Sequence, residues 1–329
     1  MSAIHFLVSG LMKFPLNKID GRIHLGKFTE NPGGVARNIV DAMSKLNSDP
    51  VFISAVGEDI PSKLILSTLP PNATRYIQIV PNSSTAQCDV VFDSKGECQL
   101  LLGDMEIHKK ITPDLIKSNE DVIKNSALLI LDGNLTIEAF GTALELAKKH
   151  EIPVFFEPTD VVISEKPFKT PHWKAIKFIS PNVNELKHIA KILNISIPDH
   201  SRALNIEEIS CIAKLLAQHI DNIIVTLGAR GVVIARYADS STNLLTTKKD
   251  KLQVRHYPVD VVQKIVNVSG AGDCLASALM SSMLRGLSEE QCIAVGFQAA
   301  LSALQVPAAV PDKLEVNWFV QKVNYVTIV

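Results

Sequence analysis

Gly270-Ala271-Gly272-Asp273 joins three small residues and an acid to a run in which Leu275, Leu279 and Met283 recur every four positions. That spacing predicts a helix with a buried stripe, closed by Arg285 and Gly286, a cation and a glycine that suit a helix C-terminus. The small residues then stand at the helix N-terminus. There, bare N–H groups and the helix dipole make a ready site for an anion such as a phosphoryl group. A carboxylate in that mouth would repel phosphate unless it had a task, and taking the proton from a hydroxyl that attacks the phosphorus is such a task. Asp273 is therefore a candidate general base. Read alone, the four residues fit equally an aspartate that caps a helix with a glycine-rich approach.

Three other short segments carry polar groups in suggestive places. Gly33-Gly34 precedes a helical face of Val35, Ile39, Met43 and Leu46, with Asn38 in its first turns. Asn182 and Glu185 open a helix after Pro181, and Thr226 and Gly228 end the apolar run Asn222 to Leu227. Each has a plain structural alternative: a turn before a helix whose Asn38 faces water, a helix cap with a first-turn acid, and a strand stop.

The elements that must hold these residues read as an α/β chain. Ala127 to Leu131, the run Ile152 to Glu157, Ile176 to Ser180 and Asn222 to Gly228 are short apolar runs without polar alternation. Helical stretches separate them, at Thr136 to His150, after Pro181, and over Ile206, Ile209, Ile212, Ala213, Leu216 and Ile220. Such strands belong in a parallel sheet covered on both faces. Ser84 to Asp104 differs: two β-rich runs flank Asp93-Ser94-Lys95-Gly96, a hairpin turn signal, and a hairpin inserted there could fold over a site as a lid.

With 329 residues the chain can bury a large core. Hydrophobic residues make up 47%, charged residues 20%, and the net charge is -1, which argues against disorder and against nucleic acid as a partner. The five cysteines, Cys88, Cys98, Cys211, Cys274 and Cys292, form no Cys-x-x-Cys pair, and the nine histidines show no ligand spacing, so no transition metal is expected. Reduced thiols suit a cytoplasmic protein. The apolar opening "MSAIHFLVSGLM" lacks a basic leader and reads as a β-strand, and no apolar run approaches the roughly 20 residues that span a bilayer.

Taken in order, "GGVARN" (Gly33 to Asn38), "SPNVNE" (Ser180 to Glu185), "VTLGARG" (Val225 to Gly231) and "SGAGD" (Ser269 to Asp273) resemble the PfkB, or ribokinase-like, carbohydrate kinases over nearly the whole chain. Within that family the resemblance is strongest to the pseudouridine kinases, through "GGVARNI", "GDMEIH" followed by "ITPDLI", "FFEP", "SPNVNEL" and "SGAGDCL". The resemblance implies one three-layer α/β/α domain over residues 1–329, with a central mostly parallel sheet. It implies a small β lid from segments about 10–30 and 84–104, through which relatives dimerise. It further implies transfer of a phosphoryl group from Mg-ATP to the 5′-hydroxyl of a nucleoside, pseudouridine first, with ribose, adenosine or another sugar as alternatives.

Carried over residue by residue, Asp273 would be the base, and in the catalytic turn opened by Gly270 the N–H groups of Ala271, Gly272 and Asp273 would hold the oxygens of the phosphoryl group. Asn182, Thr226, Gly228, Asn267, Val268 and Ser269 would meet the nucleotide, and Glu185 and Glu157 would organise Mg²⁺. Gly33, Gly34, Asn38 and Asn134 would meet the acceptor. Asp132 reads equally as pocket or loop. The chain departs from the family after its first strand, where Lys13 and Phe14 stand in place of an aspartate that grips the sugar, and the next carboxylate is Asp20. Losing that charged hydrogen bond would cost on the order of 1.5–3 kcal/mol of binding. Asp20 as a replacement, an altered or shortened amino terminus, and a catalytically impaired homologue that still binds nucleotide are the three readings of this departure.

Overall fold

The computed structural model describes residues 5–12, 26–92, 98–197, 203–246, 251–260, 262, 265–319 and 323–328. Strands β1 (His5–Met12), β2 (Gly26–Gly33), β5 (Gln87–Phe92) and β6 (Cys98–Asp104) form a small sheet in the order β2-β1-β5-β6. β5 and β6 pair antiparallel, as the hairpin reading expects, and the turn at Asp93 to Gly96 lies outside the described residues. The apolar opening is a strand, and it joins this sheet by pairing antiparallel with β2 and parallel with β5. β3 (Ser54–Gly57) and β4 (Ile77–Val80) make a separate parallel pair.

The large sheet has the order β13-β12-β11-β10-β9-β8-β7. Its parallel part is β7 (Leu129–Asp132), β8 (Val154–Glu157), β9 (Ile176–Ile179) and β10 (Asn222–Thr226). β11 (Val232–Arg236), β12 (Gln253–Tyr257) and β13 (Val326–Ile328) then continue it antiparallel, each to its neighbour. β12 thereby points the same way as β7 to β10, so the sheet is mostly parallel in strand direction.

Why the strands carry no polar alternation is visible in where successive residues go. Phe156, Ile179, Ile223 and Val225 pack into one apolar cluster, while their neighbours Phe155, Phe178 and Ile224 pack into another on the opposite face. α6 (Ile137–Lys149), α7 (Val183–Ile192) and α8 (Ile206–Leu216) supply the first cluster, through residues such as Phe140, Leu186 and Ile212. α1 (Val35–Lys45), α9 (Ala271–Leu284) and α10 (Glu289–Leu304) supply the second, through Ile39, Leu279 and Ile293. The result is three layers, helix, sheet and helix. Each fully buried Phe or Ile contributes about 1.5–3 kcal/mol. Shorter helices α2 (Ile60–Ser67), α3 (Pro71–Thr74), α4 (Pro113–Ser118) and α5 (Glu120–Lys124) connect the smaller elements.

The helical stretch expected from Thr136 to His150 is α6, with Thr136 as its N-cap, donated to by the Ala139 N–H, and His150 at its C-cap. Because β7 to β10 are parallel, their last residues, Asp132, Glu157, Ile179 and Thr226, fall along one edge, and Asp132 is the register partner of Glu157. A crevice beyond the carboxyl ends of such strands is where open α/β sheets hold ligands.

Candidate active site

Asp273 lies in the first turn of α9, whose N-cap is Gly270. Gly270 has φ 80°, and a Cβ on it would lie 2.0 Å from the Ala309 carbonyl oxygen, so only glycine fits this approach. A Cβ on Gly272 would meet nothing within 4 Å, so the helix mouth is open on that side. The N–H groups of Gly272 and Asp273 have no carbonyl within their own helix. The Ala271 N–H makes a 3.4 Å contact with the Val268 carbonyl.

The Asp273 carboxylate is brought to the head of α1, where Asn38 Nδ2 donates to its Oδ2 at 2.8 Å. Burial pushes the Asp273 carboxyl up to about 6, the Asn38 hydrogen bond opposes that rise, and the charge of Asp132 adds to it. Asp132 is buried, and the structure gives it a positioning task at the edge of the crevice. Its Oδ2 accepts from the Ala36 N–H at 3.3 Å and its Oδ1 from the Asn134 N–H at 2.9 Å, which ties the start of α1 to the loop after β7. Gly34, at φ 96°, makes the turn into α1, and Gly33 is the last residue of β2.

Beside Asp132, the loop is held closely. A Cβ on Gly133 would be 2.3 Å from the Pro158 carbonyl, and Lys166 Nζ donates to the carbonyls of Gly133 and Leu135 at 3.0 Å each. Lys166 escaped the sequence reading because nothing in "SEKPFK" marks a lysine that folds back onto a loop more than thirty positions earlier. On this loop, Asn134 Nδ2 is buried without an acceptor, a donor that the protein itself leaves unsatisfied.

At the end of β9, Asn182 caps α7 in a capping box. Its Oδ1 accepts from the Asn184 and Glu185 N–H groups at 2.9 and 3.0 Å, and Glu185 Oε2 accepts from the Asn182 N–H at 2.9 Å. The cap and the proposed ligand role thus fall on the same residues. Thr226 sits beside them, with its N–H donating to the Pro181 carbonyl at 2.9 Å. Gly228, at φ 59° with open space where a Cβ would lie, leaves the approach to this end clear.

Asn267 is absorbed by its own loop: Nδ2 donates to the Pro307 carbonyl at 2.8 Å and Oδ1 accepts from the Ser269 N–H at 3.0 Å. What it presents outward is Val268, 71% exposed, beside exposed Ile265 and Val266. Asp20 lies outside the described residues, as do Lys13 and Phe14.

The acids at the crevice act on one another. Glu157 is held well above the usual carboxylate range by burial and then by the charges of Glu185, Asp273 and Asp132, against a hydrogen bond from Ser180. Glu185, buried, is raised by burial, with its bonds to Asn182 opposing. Among the described residues no group of three or more His, Cys, Asp or Glu is close enough to hold a metal ion. Crowded oxygen donors without a closed cage fit Mg²⁺, which keeps much of its water and binds through one or two carboxylates plus phosphates. No described helix is long and apolar enough to cross a membrane.

An amide-lined helix mouth, a carboxyl pushed up to about 6 and acids near the strand ends that Mg²⁺ could bridge to phosphates suit binding a polyphosphate and deprotonating an alcohol. The chain is 26% identical to a pseudouridine kinase of Arabidopsis thaliana, covering 91% of this chain and 88% of that one. It is 23% identical to an A. thaliana ribokinase, covering 85% and 69%. The A. thaliana ribokinase structure, complexed with ribose and ATP, superposes with a TM-score of 0.76 at 20% identity over 94% of each chain, so the fold is ribokinase-like. Residues 7–315 match the model of the pfkB family carbohydrate kinases. The chain belongs to that family, whose members are phosphotransferases acting on hydroxyl groups.

Proposed function

We propose that this kinase phosphorylates the 5′-hydroxyl of a nucleoside from Mg-ATP, with pseudouridine as the acceptor. The observation that carries the reading is Asp273 at the mouth of α9: open amides on one side, and a carboxyl pushed up to about 6 that is mostly ionised, yet still basic, at neutral pH. The acceptor hydroxyl gives its proton to Asp273 as its oxygen attacks the γ-phosphorus, and the bond from that phosphorus to the bridging oxygen of the β-phosphate breaks, so that ADP leaves. The first-turn amides of α9 hold the oxygens on which charge builds.

Glu157 and Glu185 would hold Mg²⁺ and its waters; the ion supplies charge neutralisation at the phosphates. Asn182, Thr226 and Gly228 face the nucleotide phosphates, and exposed Val268 offers an apolar surface to the base. Gly33, Gly34 and the unsatisfied amide of Asn134 meet the acceptor. The small sheet serves as the lid of a single domain, and exposed Phe28 and Leu102 on its two edge strands fit a dimer contact, which light scattering tests.

Ribose is the second reading, supported by the similarity to a ribokinase. A third, nucleotide binding with impaired catalysis, is supported by β1, which ends at Met12 without any carboxylate. ADP release measured over a panel of pseudouridine, uridine, adenosine, ribose and fructose separates the three. Turnover highest with pseudouridine supports the proposal; ribose preferred by tenfold or more overturns it in favour of the second. ATP binding with no ADP from any acceptor establishes the third.

A further inference from the structure

Arg37 occupies an unexpected place, 4% exposed on the inward side of α1. Its Nη2 pairs with Asp41 Oδ2 at 3.0 Å and donates to Thr68 Oγ1 at 2.9 Å, while its Nε is buried with no acceptor. A buried ion pair is a poor stabiliser, since apolar side chains of similar volume commonly do as well, and an unsatisfied N–H adds to its cost. Holding the helix therefore does not explain an arginine here.

Its remaining contact does. Arg37 Nη1 donates to Asn38 Oδ1 at 3.2 Å, and Asn38 Nδ2 donates to Asp273 Oδ2 at 2.8 Å. An amide can turn over in place, exchanging its oxygen and its NH₂. Turned over here, it would set oxygen against carboxylate and NH₂ against guanidinium, and lose both bonds. The cation on one side thus fixes which end of the amide meets the acid on the other.

We propose that Arg37 and Asn38 are positioning residues for the base: Arg37 orients and polarises the Asn38 amide, which holds Asp273 Oδ2 and leaves Oδ1 for the acceptor hydroxyl. The proposal rests on Asp273 acting as the base. It gives Asn38 a task through Asp273 in addition to any contact with the acceptor. The charged groups around Asp273 act in opposing senses. Burial and the charge of Asp132 on β7 disfavour its ionised form, and from α1 the amide bond favours it, with Arg37, Asp41 and Lys45 behind; the Asp273 charge in turn raises Glu157 on β8. Cys274, next along α9, is a buried thiol pushed up to about 12 and stays neutral.

The test compares wild type with Arg37→Met, Arg37→Lys and Asn38→Leu. The first readout needs no turnover: carboxyl ¹³C titration of Asp273 in protein labelled at aspartate, assigned with Asp273→Asn. In Arg37→Met and Asn38→Leu the midpoint should rise by about one unit, and in Arg37→Lys by less, because an ammonium keeps the charge but loses the fork. The second readout is kinetic, with whichever acceptor wild type turns over. In Arg37→Met, kcat should fall roughly 10- to 100-fold while acceptor KM stays within about threefold, and the acid limb should move with the titration. An unmoved Asp273 midpoint in folded Arg37→Met protein, or a loss confined to acceptor KM, overturns the proposal. If Asn38→Leu does not fold, the two Arg37 variants decide. If wild type turns over no acceptor, the proposed function fails while the titration still tests the positioning.

Discussion

Glu289, at the start of α10, is fully buried and meets Arg255 through Nε and Nη2 at 2.6 Å each, Arg236 Nη1 at 3.2 Å and the Tyr257 hydroxyl at 2.6 Å. Around the ends of β7 and β8, by contrast, Glu157 is crowded by the charges of Glu185, Asp273 and Asp132, and Asp273 by that of Asp132, with amides rather than cations as the hydrogen-bond partners of Asp132, Glu185 and Asp273. The first cluster is closed: its acid is matched by cations, and Tyr257, raised by burial and by Glu289, is kept as a hydroxyl donor. The second is left short of positive charge. An imbalance of that kind makes sense at the edge of an open crevice, where Mg²⁺ arriving with a nucleotide can supply the missing charge, and it makes little sense in a core.

The largest effect expected from this contrast is on turnover. Asp273→Asn removes the base from the open cluster, and kcat should fall by about 10³-fold or more while ATP binding, measured by calorimetry, stays within severalfold. Normal turnover would remove the base from Asp273. Glu289→Gln attacks the closed cluster and leaves two buried guanidinium groups short of charge. Denaturant unfolding should show a loss of about 3–5 kcal/mol.

Glu157→Gln should act in the opposite direction. The folded-state carboxyl is raised, so folding favours its protonated form, and wild type loses stability as pH climbs from the ordinary carboxylate midpoint upward. At pH 8 the variant should be more stable than wild type, with the gap closing as pH falls into the ordinary carboxylate range, while needing more Mg²⁺ for turnover. A destabilised variant at pH 8 would mean that the acids are already neutralised by the protein.

These clusters were unequally legible in the sequence. Short apolar runs separated by helical stretches gave away β7 to β10, because burial on both faces removes the polar alternation that confuses strands with surface. The capping box of Asn182 and Glu185 and the mouth of α9 are local in sequence, so residue spacing reveals them. Asn38 and Asp273 are 235 positions apart, and Arg236, Arg255 and Glu289 come from three elements, so only the folded chain joins them. The pairing of β1 with β2 and β5 was hidden for the same reason, as strand order is a long-range property. Half of what Asn267 does was hidden in the same way: its amide accepts from the Ser269 N–H close by in sequence, but donates to the Pro307 carbonyl, 40 positions away.

The smallest effect expected is at Gly272, where open space surrounds the missing Cβ. Gly272→Ala should fold with stability within about 0.5 kcal/mol of wild type but weaken ATP, because its methyl group would stand where phosphate oxygens approach the amides. Gly270→Ala meets the Ala309 carbonyl and needs a positive φ, and it should lose more than 1 kcal/mol.

The most direct measurement is the pH dependence of kcat/KM for the acceptor in wild-type protein at saturating Mg-ATP, from pH 4.5 to 8.5. With Asp273 as the base, the logarithm of kcat/KM should rise with unit slope at low pH, bend near pH 6 and then level. A profile flat across that range, with Asp273→Asn following it in parallel at comparable rates, would contradict the account.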